Sequence, residues 1–177
     1  MHYISKYSSP IGGITLGRDG KHLTGLWFDG QKYFGSTLPT EYAENPLPVF
    51  EQTKNWLDCY FNGEIPDRLP PLSLHGSPFR LAVWDILKRI PYGEVITYGD
   101  IAKKIALQKG IESMSAQAIG GAVGHNPISI LIPCHRVVGA NGSLTGYAGG
   151  IDKKIALLTL EKVNTDSFFI PQKGTAL

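Results

Sequence analysis

Cys134 and His135 stand side by side in Ile130-Leu131-Ile132-Pro133-Cys134-His135-Arg136-Val137-Val138, where a short polar step interrupts an aliphatic run. A base or a positive field that draws the proton from sulfur leaves a thiolate, the form that attacks carbon. The aliphatic flanks predict a strand buried on both faces. Pro133 donates no backbone hydrogen bond, so the ladder should fail at the cysteine and leave it in an apolar recess with an arginine close by. The competing reading is a packed thiol, since free cysteine is among the most buried residue types and most such side chains are inert.

The remaining chemistry-bearing residues narrow the choice. Cys59 and Cys134 are the only two cysteines, too few for a disulfide framework or a zinc knuckle. The five histidines, His2, His22, His75, His125 and His135, show no ligand spacing, so neither metal nor cofactor is expected. Cys59 has no charged activator near it in sequence and reads as a thiol without a role. No apolar run approaches a membrane span and the first residues lack the regions of a signal peptide, so the expectation is a soluble, cytoplasmic protein without membrane contact. Residues 1 to 76 carry six Lys and Arg against eight Asp and Glu, and residues 77 to 177 carry eleven against seven. A basic second part beside an acidic first part hints at a polyanionic partner for the second.

The elements that must position these residues fall into two parts. Asp19-Gly20 between two β-prone runs predicts a hairpin in a small antiparallel sheet, because glycine supplies the positive φ of a tight turn. Residues 36 to 46 read as loop. Val49, Phe50, Thr53, Trp56, Leu57, Tyr60 and Phe61 recur at helical spacing from about Pro46 to Asn62. The proline-rich stretch from about 64 to 76 reads as an extended linker. It divides an N-terminal α/β domain, residues 1–70, from a C-terminal domain, residues 77–177. Ser77-Pro78 opens a helix. A short strand at Glu94-Val95-Ile96 leads to Thr97, which caps a helix from Asp100 to about Leu107, and a polar loop leads to Ser115 through Gly124. Two short helices joined by a loop resemble a helix-turn-helix. Adjacent Gly120 and Gly121 weaken their own helix by about 1 kcal/mol each relative to alanine. Either another helix packs closely there, or a bare helix face lies against a nucleic-acid backbone. Gly139 to Gly150 is glycine-rich without the spacing of a phosphate cradle, and a last helix runs from about Asp152 to Val163.

Ile132-Pro133-Cys134-His135-Arg136-Val137, preceded by Gly120-Gly121-Ala122 and Asn126-Pro127 and followed by Gly146-Tyr147-Ala148-Gly149-Gly150, resembles the O6-alkylguanine-DNA alkyltransferases. The likeness is specific from about Ser77 to Glu161. It implies an α+β fold: a small ribonuclease H-like N-terminal domain with an antiparallel sheet, then a mostly helical domain with a winged-helix-like helix-turn-helix. It also implies repair by direct reversal, in which an alkylated guanine is flipped out of duplex DNA through the minor groove. The alkyl group on O6, and also that on O4 of thymine, would pass irreversibly to Cys134 in a single turnover, with a monomer acting without an obligatory protein partner.

The same resemblance implies the roles. His135 would be the base, through a water, and Glu161 would orient it; Asn126 would support the loop before the cysteine. Tyr98 would donate toward N3 of the base. Tyr147 and the N–H of Ala148 would line the pocket near O6, and the carbonyls of Cys134 and Val137 would accept from the exocyclic amine. Thr97, Ala116, Gln117, Gly120, Gly121 and Ala122 would meet DNA. Three departures stand out. Gln117 occupies the position where many members carry an arginine that fills the gap left by the flipped base. The loop from Ala106 to Ser113 looks longer than in compact members. Ala148 replaces a serine found in some relatives. The alternatives are a lesion binder resembling the alkyltransferase-like proteins, which lack the cysteine; a helix-turn-helix regulator, whose reading helix would need more than Ala and Gly; and a Cys-His hydrolase, which would turn over.

Overall fold

A computed structural model of the chain describes residues 2–172. Two compact units form within it: one comprises the chain up to His75 together with Pro127–Leu131, the other Gly76–Asn126 and the chain from Ile132 onward.

In the first unit, β1 (Tyr3–Ser9), β2 (Gly12–Asp19), β3 (His22–Phe28) and β4 (Ala43–Glu44) make a sheet of order β3-β2-β1-β4. The Asp19-Gly20 turn joins β2 to β3, with Gly20 at φ +45°. β4 lies in the stretch expected to be loop and pairs parallel with β1. Its two residues are too few to leave a periodic signal. Helix α1 (Pro48–Phe61) buries Val49, Phe50, Thr53, Leu57 and Tyr60, the stripe its spacing predicts. Gly25 is required by close approach: a Cβ there would fall 1.8 Å from a ring carbon of Trp27.

The outer edge of β3 is covered rather than bare. Leu23 donates to the Pro71 carbonyl and accepts from Ser73, while Leu26 donates to the Pro127 carbonyl and accepts from Ser129. The proline-rich stretch read as linker is thus pinned at residues 71–73. Residues Pro127–Ser129, although distant in sequence, extend the same sheet.

In the second unit, α2 (Pro78–Lys88), α3 (Tyr98–Lys109) and α4 (Ala116–Gly124) pack together, followed by α5 (Ile151–Leu160). Side-chain oxygens of Ser77, Thr97 and Ser115 accept from the backbone N–H of Arg80, Asp100 and Ala118, capping α2, α3 and α4 in turn. Each cap contributes about 1 kcal/mol. α3 runs to Lys109, where Gly110 at φ +64° ends it, so the loop expected over Ala106–Ser113 is shorter than the sequence suggests. The strand expected at 94–96 is β5 (Ile96–Thr97), paired parallel with β6 (Val137–Val138). The indole of buried Trp84 in α2 donates to the Ala122 carbonyl in α4 at 2.9 Å, fixing the two helices. None of the described helices is long and apolar enough to cross a membrane.

The run from Ile130 to Val138 is not the interrupted strand its composition predicts. Ile130 takes φ +69°, Ser129–Leu131 lie in a turn with Ile132 in a bend, and Cys134–Arg136 form one turn of 3-10 helix before the two residues of β6. The whole stretch is buried, so apolar composition cannot separate a buried turn from a buried strand.

Candidate active site

Cys134 opens the 3-10 turn, with its thiol in an environment only 4% exposed. The carbonyl of Ile132 anchors this turn by accepting twice, from the Cys134 N–H at 2.7 Å and from Asn126 Nδ2 at 2.7 Å. Asn126, just beyond the end of α4, therefore ties that helix to the backbone that presents the sulfur. Burial pushes the Cys134 thiol up, opposed by the Asn126 side chain and by the charge of Lys154.

His135 and Glu161 are both buried, and His135 Nε2 lies 2.6 Å from Glu161 Oε1. Glu161, at the C-terminal end of α5, also accepts from Arg136 Nε at 2.8 Å, Arg136 Nη2 at 2.9 Å and the Gly93 N–H at 3.1 Å. Burial alone would raise its carboxyl. The hydrogen bonds and charges of His135 and Arg136 outweigh that and hold it well below the usual carboxylate range. An ionised Glu161 requires Nε2 of His135 to be the protonated nitrogen, which leaves Nδ1 with its lone pair. Burial lowers the imidazole below its ordinary 6.5, against the pull of Glu161, so the residue that follows Cys134 is a neutral base at neutral pH.

Arg136 was noticed in the sequence only as a neighbour. The structure makes it the clamp of the acid: besides its two bonds to Glu161, Nη1 donates to the Ile90 carbonyl at 2.6 Å and the guanidinium lies 5.7 Å from the Tyr92 ring centroid. Its place beside Cys-His was the available signal. Lys154 was missed outright. It is fully buried, and its Nζ donates to the carbonyls of Val137 at 2.5 Å and Thr145 at 3.0 Å. A lysine seven residues before Glu161 was the clue, because that spacing puts both on one helix face.

Tyr98, the first residue of α3, directs its hydroxyl to the carbonyls of Thr145 at 3.1 Å and Gly146 at 3.3 Å. Burial and the nearby Cys134 raise it to about 12, so the phenol stays protonated and can donate. Tyr147 is buried with its ring edge-on to His135 at 6.5 Å between centroids, and Ala148 is half-buried beside it. The Val137 carbonyl holds Lys154 and the Cys134 carbonyl accepts from the Val137 N–H. Each carbonyl keeps a second lone pair.

The helix α4 residues divide. Ala116 and Gln117 are exposed on its first turn, and a Cβ added at Gly120 or Gly121 would meet nothing within 4 Å. Packing against another helix therefore does not account for these glycines, and the bare face is open. Ala122 is corrected: it is buried at 2% exposure against α2 and belongs to the helix packing, not to the exposed face. Thr97 is half-buried and its hydroxyl is committed to capping α3. Cys59 lies in α1, away from this group in sequence and in the other unit; burial and then Glu64 raise its thiol, which argues against reactivity. Among the described residues no group of three or more His, Cys, Asp or Glu side chains is placed to hold a metal ion.

This arrangement, a buried thiol beside a neutral imidazole backed by an ionised, arginine-clamped carboxylate, suits proton removal from sulfur followed by attack on carbon. A methylated-DNA--protein-cysteine methyltransferase of Haemophilus influenzae is 40% identical over 162 residues, covering 91% of this chain and 87% of that protein. The protein of that name from Mycobacterium tuberculosis is 44% identical over 162 residues, covering 92% and 93%. The crystal structure of Mycobacterium tuberculosis OGT in complex with DNA matches with a TM-score of 0.79 at 42% identity, covering 90% of this chain and 92% of that one. An O6-methylguanine DNA methyltransferase structure from Methanococcus jannaschii matches with a TM-score of 0.65 at 32% identity, covering 97% and 99%. Residues 2–72 match the 6-O-methylguanine DNA methyltransferase ribonuclease-like domain and residues 78–163 the DNA-binding domain of the same enzymes. With both halves of the family's architecture present and the Cys-His-Glu arrangement built between α4 and α5, the chain belongs to the 6-O-methylguanine DNA methyltransferase family.

Proposed function

We propose that this protein repairs DNA by direct reversal, moving a methyl or larger alkyl group from O6 of guanine, and from O4 of thymine, to its own Cys134 in one irreversible turnover. The observation that carries this is the 2.6 Å contact between buried His135 and Glu161 beside the buried thiol. The thiol proton passes through a water to Nδ1 of His135, and the imidazolium is stabilised by Glu161. The thiolate then attacks the alkyl carbon: an S–C bond forms, the C–O6 bond breaks, and its electron pair stays on the purine. Tyr98, freed from the Thr145 and Gly146 carbonyls, passes its hydroxyl proton to N3, so that the purine leaves neutral, and the phenolate regains a proton at the expense of the imidazolium. Tyr147 and the Ala148 N–H line the pocket near O6, while the Cys134 and Val137 carbonyls accept from the exocyclic amine.

The partner is double-stranded DNA. We read α4 as entering the minor groove with its bare Gly120-Gly121 face against the backbone, Ala116 beside it, and Gln117 filling the space of a flipped base. Residues 1–70 and 77–177 form the two functional domains, joined by a linker near 64–76, and the protein acts as a cytoplasmic monomer. Incubation with a duplex carrying tritiated O6-methylguanine tests the reading. One label per chain, and none in Cys134→Ala, is expected. Label release in excess of protein would mean hydrolytic turnover and overturn it.

A further inference from the structure

Lys154 points inward from α5 and is fully buried. A lysine is almost never buried without a partner for its charge, since desolvating an ammonium is costly. Two backbone carbonyls, Val137 and Thr145, accept from it, and the Tyr98 ring centroid lies 6.0 Å away. These supply hydrogen bonds without a counter-charge. Among the described residues no carboxylate lies within ion-pair distance of it; Glu161, two turns along the same helix face, is engaged by Arg136 and His135.

The charges around the site therefore do not close as they stand. Glu161 and Arg136 cancel in a two-bond pair, and His135 is neutral. That leaves Lys154 unmatched, and the group that can match it is Cys134. Each favours the other's ionised form: the ammonium pulls the thiol down, and the thiolate pulls the ammonium up against the burial that lowers it to about 8. The titratable and charged groups facing Lys154 are Cys134, His135 and Tyr98, with the Glu161–Arg136 pair behind the imidazole. Thr145 adds a mechanical link, because its carbonyl accepts both from Lys154 and from the Tyr98 hydroxyl.

We propose that Lys154 is the counter-charge of the Cys134 thiolate, a positioning residue that also fixes the Thr145 carbonyl shared with Tyr98. This rests on the reading of Cys134 as the acceptor. Its test needs no DNA, so the two can fail separately. The rate of iodoacetamide modification, read on the peptide containing Cys134, is followed against pH in the wild type, Lys154→Gln and Lys154→Met. Glutamine keeps donors for the carbonyls and loses the charge; methionine loses both. Loss of a nearby opposite charge should move the midpoint up by about one pH unit or more in both variants, with roughly a tenfold fall in rate at pH 7. An unmoved midpoint, or a shift in Lys154→Met alone, would overturn the proposal. Should either variant fail to fold, the reciprocal effect is read in folded protein: the titration of Lys154 Cε, followed by NMR with labelled lysine, should have a lower midpoint in Cys134→Ala than in the wild type. Equal midpoints would also overturn it.

Discussion

Replacing Glu161 by Gln asks whether one carboxylate holds the site together. Both of its oxygens accept from Arg136, Oε2 from Nε and Oε1 from Nη2, so an amide in either orientation points its NH2 at a guanidinium N–H. Oε1 also accepts from His135 and Oε2 from the Gly93 N–H, and the side chain is buried. The variant thus leaves a largely buried guanidinium without its counter-charge, a change that costs about 3–5 kcal/mol. Urea unfolding followed by circular dichroism measures it. The carboxyl lies well below its usual range in the folded protein and near about 4.3 when unfolded. Its stabilisation is therefore complete above about pH 4.3 and is lost as pH falls toward the folded value. The gap between wild type and Glu161→Gln should be widest near pH 7 and narrow below pH 4. A loss under about 1 kcal/mol at pH 7, or a gap that stays constant to pH 3, would refute the clamp.

Other outcomes follow from single contacts. Gly120→Ala, in a helix interior with open space where its Cβ would go, should stabilise the protein by up to about 1 kcal/mol yet weaken duplex binding; equal or tighter binding would remove the bare face from the interface. Gln117→Arg should tighten duplex binding and steepen its salt dependence by roughly one counterion, as measured by fluorescence anisotropy across salt concentrations; an unchanged slope argues against contact with DNA at this position. Trp84→Phe removes the bond to the Ala122 carbonyl and should cost about 1–2 kcal/mol in thermal unfolding, with an unaltered melting point as the contrary result. Because burial lowers His135, the methyl-transfer rate should stay level as pH falls to 6.5 and drop only below it; a midpoint above 6.5 would mean the imidazole is not the base.

Local signals carried much of the architecture. Capping residues Ser77, Thr97 and Ser115 mark their helices because a side-chain oxygen three residues from a backbone N–H is a local event. The Asp19-Gly20 turn and the α1 stripe are legible for the same reason. What escaped depends on partners far along the chain. Residues 130–136 read as strand because turn and strand share an apolar composition when both are buried. The pairing of Leu23 with residues 71–73, and of Leu26 with 127–129, leaves no trace in either segment alone. At the site, the Cys134-His135 pair, Tyr98, Asn126 and Glu161 were recognisable through their shared spacing. Arg136 and Lys154 were not, since their importance lies in which charges they meet. The resemblance places Ala122 with Gly120 and Gly121 at the DNA, but one further residue along a helix rotates the side chain by about 100°, here toward the core.

The central claim is that the buried sulfur of Cys134 becomes the permanent home of the alkyl carbon. Peptide mass mapping after incubation with a duplex containing one O6-methylguanine tests it most directly. The account predicts a gain of one CH2 on the peptide containing Cys134, with restored guanine in the duplex and no further reaction on a second addition of substrate. Methylation at Cys59, or repaired duplex with Cys134 unmodified, would contradict it.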